Sequence, residues 1–444
     1  MADLAPIFRG ASGGKSDDIF VGIPDSYQES QSIEIRNNPR GIKLYKLTKD
    51  TGSVITETIN CFLKVSTSGD VMAFGSSGIY RKNGTWTKNS NTVSGAIISC
   101  IEFNGFIYFT NAASLFRVAV GSISNTMTVN TAFQTFTNSV AFHPMTIGLT
   151  YVLLIDKNLV ATYNTSSVWS ASDLTIPELT VKEIRTFGSS IKVYAQYTGN
   201  ATEVAFWDVS ESVQESITLS GIKIEQIVNK DGVDFIISNN NLGILDGYKQ
   251  SKLKAISDYS KNSKSMDVQG NKLLFGGTGV WAWSNLNKNY PEVLSFEYKT
   301  SNAITDAVGA IFYDGTDLYV AWSNGATYID KLSTLYTATG FWTSRVYFAE
   351  TRTQIKSALE VQSAFAAITG TDSISLYYRL NITGSYTLIK TMTASSVKTN
   401  TFTDKTQLSG EFNFIEFKVE LNSANGSTSP EFYELFLKYD NVKF

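Results

Sequence analysis

Residues 74–80 read FGSSGIY and residues 275–281 read FGGTGVW. Each is Phe-Gly-x-x-Gly, then a β-branched residue, then a large aromatic. Apolar residues on both sides of a Gly/Ser/Thr cluster predict two antiparallel strands joined by a tight turn, with the glycines supplying positive φ. The two phrases lie 201 residues apart. A phrase repeated at that distance asks for a period that divides it.

Further hairpin signals supply the period. VMAFGSSGIYR starts at Val71, FIYFTNAASLFRV at Phe106, YVLLIDKNLVATYN at Tyr151 and IKVYAQYTGNATEVAFWDV at Ile191. VDFIISNNNLGILDG follows at Val233, KLLFGGTGVWAWSN at Lys272 and DLYVAWSNGATYID at Asp317. The start-to-start steps are 35, 45, 40, 42, 39 and 45 residues. A unit of about 40 residues holding several short strands is the size of a propeller blade, which buries its faces only by packing on its neighbours. Five such periods place the two opening phrases in blades one and six. Seven hairpins predict a seven-bladed β-propeller over residues 32–340, with six or eight blades, or a pair of stacked β-sandwiches, as the alternatives. The stretch SIEIRNNPRGIKLYKLT from Ser32 is expected to complete the last blade.

The rhythm changes after TGFWTSRVYF at 339–348. About eight strand-like runs in roughly 100 residues predict a β-sandwich over 341–444. In FIEFKVELN, Ile415, Phe417, Val419 and Leu421 share one parity and are expected to face its core, opposite Phe414, Glu416, Lys418 and Glu420. Residues 1–31 include the small, polar FRGASGGKSDD and are expected to form a flexible arm, or one that orders on a neighbouring subunit.

The totals narrow the function classes. Of 444 residues, 43% are hydrophobic and 17% charged, with a net charge of -3. Charge below the usual quarter leaves Ser, Thr and Asn to carry the polar surface. Without a basic run there is no footprint for specific nucleic-acid binding. No apolar stretch reaches the length of a membrane span, and the start lacks the apolar core of a secretory signal. The sequons at Asn83, Asn164, Asn200, Asn381 and Asn425 are therefore read as products of composition. Cys61 and Cys100 read as two small thiols in neighbouring segments rather than a disulfide or half of a metal site.

Chemistry is sparse. His143 is the one histidine; it stands in SVAFHPMT without a nucleophile elbow and reads as structural. DGTD at 314–317 reads as a turn, because calcium asks for six or more oxygens. YRKNGTWTK at 80–88 is similar to the Asp-box turn of sialidases, with Asn83 where the aspartate is expected; that turn is structural. No catalytic residue, cofactor or metal is expected, and a glycosidase is the least favoured reading. The remaining candidates are aromatic: Trp281, Trp283, Trp322 and Trp342, as contacts for a partner protein or a glycan.

Propeller followed by sandwich resembles the virion proteins of tailed bacteriophages. The likeness is carried mainly by TGFWTSRVYF…RTQIKSALEVQ, SISLYYRLN and FNFIEFKVELNS…SPEFYELFLKYD, whose last strand follows Ser429-Pro430. The resemblance implies a non-enzymatic structural tail protein of the virion, at the nozzle, hub, tip or fibre attachment, made in the host cytoplasm. It implies a homo-oligomeric ring with other tail proteins as partners, and as the alternative a host-attachment module that binds a surface glycan.

Overall fold

The structure is a computed structural model. It describes residues 3–442, apart from 12, 17, 19, 21–24, 36–40, 51–53, 130–131, 178, 189, 211, 247–248, 286–290, 300–306, 324–325, 349–351 and 395–401. The described residues hold no α-helix; a 3-10 turn spans Val120–Ser122. The strands pair antiparallel, and most of them have the layout of a β-propeller.

Each of the seven sequence hairpins forms the second and third strands of a four-stranded sheet. The first sheet runs Ile59–Lys64, Val71–Gly75, Ile79–Asn83, Thr85–Lys88, and the sixth runs Met266–Gln269, Lys272–Gly276, Val280–Ser284, Val293–Tyr298. The leading strands of the second to fifth sheets are Ser99–Phe103, Met145–Gly148, Thr180–Phe187 and Ile224–Lys230. In the seventh sheet Ala307–Tyr313 leads. Each leading strand contacts the leading strands of the sheets before and after it, and the seventh contacts the first. The leading strands therefore line an axis, and the later strands lie progressively outward.

This ring explains why the second strands read as unbroken apolar runs. Every residue of Val71–Gly75 and of Lys272–Gly276 is buried, because both faces of each sheet are covered. Phe74 meets Phe109 of the second sheet at 5.5 Å between ring centroids, while Tyr80 packs with Tyr319 and Ala321 of the seventh. Burying one such ring is worth about 2–3 kcal/mol. The seventh sheet takes its fourth, outer strand from Leu47–Lys49, which pairs with Asp330–Leu332. The end of the Ser32 stretch thus closes the ring as expected, while Ile33–Glu34 pairs with Lys43–Leu44 in a separate ribbon.

A second layer holds two five-stranded sheets. One is ordered Asp3–Phe8, Phe432–Asn441, Lys356–Phe365, Phe402–Gln407, with Glu411–Phe412 also on Lys356–Phe365. The other is ordered Tyr27–Gln31, Thr339–Ser344, Ile415–Asn422, Ser373–Leu380, Thr387–Thr393. Both contribute to one apolar core, with Phe8, Val361, Phe412 and Leu437 from the first and Tyr27, Trp342, Phe417 and Val419 from the second. Ile415, Phe417, Val419 and Leu421 are all fully buried. Glu416, on the opposite parity, is also buried, and pairs with Arg379.

The early residues depart from the expected flexible arm. Asp3–Phe8 pairs with Tyr439–Leu435, and Tyr27–Gln31 pairs with Ser344–Phe341. Only Tyr27–Gln31 is polar, Asp3–Phe8 reading DLAPIF, and the partners of both lie more than 300 residues away. The expected boundary at 340 falls inside the strand Thr339–Ser344. The ring is thus an insertion: the chain begins and ends in the second layer.

Candidate functional site

The two opening phrases are anchored by acids that pattern reading did not single out. The Glu57 carboxylate accepts hydrogen bonds from the backbone N–H groups of Ser77 and Gly78 and from the Tyr80 hydroxyl. The Asp258 carboxylate accepts from the Thr278 N–H and hydroxyl and from the Trp281 indole N–H. Glu57 and Asp258 are themselves 201 residues apart, so the repeat includes an acid in the loop that leads into each sheet. Burial alone would raise the Glu57 carboxyl, but the Tyr80 hydroxyl, the Gly78 and Ser77 amides and Lys88 together hold it below its ordinary value.

The glycines have a different role from the one expected. None of Gly75, Gly78, Gly276, Gly277 and Gly279 has positive φ. They leave room instead: a Cβ on Gly78 would lie 2.1 Å from Glu57 Oε1, and one on Gly277 would lie 2.6 Å from Asp258 Oδ1. The repeat is also imperfect. Phe74 pairs with Ile79, whereas Phe275 pairs with Trp281. This one-residue slip sends Phe74 towards the following sheet and Phe275 towards the preceding one, while Tyr80 and Trp281 both face the preceding sheet.

Of the four candidate tryptophans, Trp281 and Trp283 share the strand Val280–Ser284 and one apolar cluster. Trp322 lies in the seventh sheet, 4.6 Å from Tyr328, and Trp342 packs on Phe8 in the second layer at 4.7 Å. None exceeds 8% exposure. They do not form one aromatic surface.

Trp281 borders a cavity. About 750 Å³ lies between Asn240, Ser257, Asp258, Thr278, Trp281 and Leu294, with Lys15 across it. The Lys15 ammonium sits 4.7 Å from the Trp281 ring centroid, and the Lys15 N–H donates to the Leu294 carbonyl at 2.8 Å. Gly14 allows this approach: it has φ +67°, and a Cβ there would lie 2.5 Å from Leu294 O. A cation over an indole face occupies the place a stacking ligand would need. The sequence signal for this cover was the lone Lys in a Gly-rich segment, which has no periodicity to mark it.

The other candidates take part in local structure. His143 is fully buried, stacked on Phe136 at 3.8 Å, with ring nitrogens 2.8 Å from Ile155 O and 3.1 Å from Ala112 O. Asp314 accepts from the Thr316 and Asp317 amides and forms a turn. Trp86, in the Asp-box-like stretch, donates to Asp50. Cys61 and Cys100 are free thiols; burial, and then Cys100 itself, push the Cys61 thiol up. Among the described residues no group of three or more His, Cys, Asp or Glu could hold a metal, and no helix is long and apolar enough to cross a membrane.

No protein-family model and no curated protein matches the chain. Similar solved structures include a catalytically inactive virginiamycin B lyase from Staphylococcus aureus with quinupristin, at 14% identity and TM-score 0.49, covering 65% of this chain and 99% of that one. The extracellular domain of a putative one-component system from B. thetaiotaomicron is 16% identical at TM-score 0.48, over 65% of this chain. The chain spans about two-fifths of that structure's length, 40%. The β-propeller domain of Cps50 (Swd1) from Myceliophteria thermophila is 8% identical at TM-score 0.46, over 64% of this chain and 99% of that one.

Proposed function

We propose that this chain is a structural protein of a bacteriophage particle, a tail component that assembles in several copies into a ring. In this reading the architecture is a seven-bladed β-propeller inserted into a β-sandwich. One observation supports it above others: the ring and the second layer are stitched at several points. Ser30 Oγ donates to Phe296 O at 3.0 Å, Phe296 N donates to the Tyr27 hydroxyl at 3.3 Å, and Lys15 N donates to Leu294 O. All three tie the early strands to the outer strand of the sixth sheet. A unit locked in this way transmits force and offers two rigid faces to neighbours, and closed rings are the usual outcome for identical subunits. Immunogold labelling of particles from the source lysate tests the reading. Label at one end of tailed particles supports it; antigen free in the lysate, with bare particles, overturns it.

The cavity beside Trp281 favours a second reading, a receptor- or glycan-binding module. There, displacement of Lys15 would open an indole face flanked by Asn240, Ser257 and Thr278. Glycan-array binding that is lost in Trp281→Ala and strengthened in Lys15→Ala would establish it.

A further inference from the structure

We propose that the mouth of the axis, where the leading strands begin, binds an anionic saccharide: a sugar bearing a carboxylate or phosphate, held by Lys182, Lys223 and Lys261. A cavity of about 480 Å³ opens there. Asn60, Ile98, Phe142, Lys182, Lys223 and Lys261 contribute to its wall, one from each of the first six sheets or the loops that enter them. A hollow touching six sheets of a ring lies on the ring's axis.

Its floor is built. The turn before the sixth sheet folds inward, where the Gln226 amide donates to Ser265 Oγ at 2.6 Å. Asn262 Nδ2 reaches the Asn60 carbonyl of the first sheet at 3.3 Å, and the Lys264 ammonium stands 6.0 Å from the Phe142 ring. These contacts bring the turn before the sixth sheet against residues of the first and third, and we read the hollow they border as a bowl.

Charge marks the bowl. Several other lysines of the ring meet acids: Lys192 with Asp234, Lys230 with Glu292, Lys272 with Glu297. Lys182, Lys223 and Lys261 are exposed and pair with no carboxylate among the described residues. Glu225 is the one acid lining the cavity. Three unpaired cations converging on a concave site focus a positive field and concentrate anions there. The volume fits one or two sugar rings rather than a macromolecular segment. Gln196 and Asn262 provide amides for hydroxyl groups, and Phe142 an apolar face. Walls on all these sides favour a compact ligand over an extended acidic peptide.

Calorimetry on the full chain tests this, with glucuronate and glucose 6-phosphate as probes beside glucose, inorganic phosphate and a hexa-aspartate peptide. The expected result is saturable 1:1 binding of both acidic sugars, weakened by salt, with the other three roughly tenfold weaker or absent. Lys223→Gln and Lys261→Gln should each weaken binding about tenfold. Lys249→Gln, on the outer strand Lys249–Ala255, should leave it unchanged, with circular dichroism confirming that every variant is folded. No saturable binding overturns the proposal. So does phosphate alone binding as tightly as the sugars, tighter binding of the peptide, or affinity unaffected by the lysine variants. The outcome is independent of where particles carry the chain, so this inference and the assembly reading fail separately.

Discussion

The Tyr80 hydroxyl donates to Glu57 Oε1 at 2.7 Å, and 201 residues later the Trp281 indole donates to Asp258 Oδ2 at 2.9 Å. Two unlike aromatics each serve an acid in the equivalent place. Each acid also satisfies backbone amides of the turn, so each is a local clamp as well as a side-chain partner.

Glu57→Ala leaves those donors without an acceptor, and is expected to cost about 1–3 kcal/mol. The acid form acts like a milder version of that change. Because the folded Glu57 carboxyl lies below its ordinary value, its contribution is complete above the unfolded value, near pH 4.5. It is lost as pH falls through the lower, folded value. Denaturant titrations of wild type and Glu57→Gln should therefore differ at pH 7 and converge as the pH falls through this range; a constant difference would refute the clamp.

Gly279→Ala tests the room left by the glycines. Its Cβ would lie 2.5 Å from the Tyr298 carbonyl, which is backbone and cannot swing aside. Overpacking of this kind costs about 1–3 kcal/mol. Gly315→Ala, with open space around it but φ +94°, separates strain from crowding: it should cost about 1 kcal/mol, measured by thermal unfolding.

Lys272 and Glu297 form a buried pair at 2.8 Å, with Ser295 Oγ donating to the second carboxylate oxygen at 2.7 Å. Removing one partner strands a charge. Lys272→Met alone should cost about 3–5 kcal/mol, while Lys272→Met with Glu297→Met should recover most of it. A double-mutant cycle on unfolding free energies reads the coupling directly.

Leu47 is buried on the closing strand of the seventh sheet, among Val308, Leu318 and Val320. Leu47→Ala should cost about 2–5 kcal/mol. Because this strand follows directly from the second layer, amide exchange should speed up in Thr327–Leu332 before it does in the third or fourth sheet.

The hairpins were legible because the second and third strands of each sheet are continuous, apolar and joined by short polar turns. The closing role of Leu47–Lys49 was legible on other grounds, from a strand-like stretch standing just before the first hairpin. Glu57 and Asp258 were not: they lie 17 residues before Phe74 and Phe275, in loops where no period marks them. The early strands were missed because each is short: DLAPIF at 3–8 runs into the Gly-rich RGASGG, YQESQ at 27–31 is polar, and both are held by distant partners. The tryptophans carried a true signal of burial and a weaker one of contact. Trp281 lines a cavity, and Lys15 covers it.

The insertion of the ring into the second layer also orders events at the ribosome. Leu47–Lys49 leaves the exit tunnel long before its partner Thr327–Leu332 exists, a delay of tens of seconds at roughly 5–20 residues per second. Asp3–Phe8 waits longer still for Phe432–Asn441. Until those partners emerge the nascent chain carries unmatched strand edges. Closure of both layers is therefore a late event of synthesis, set by when residues 327–332 and 432–441 emerge.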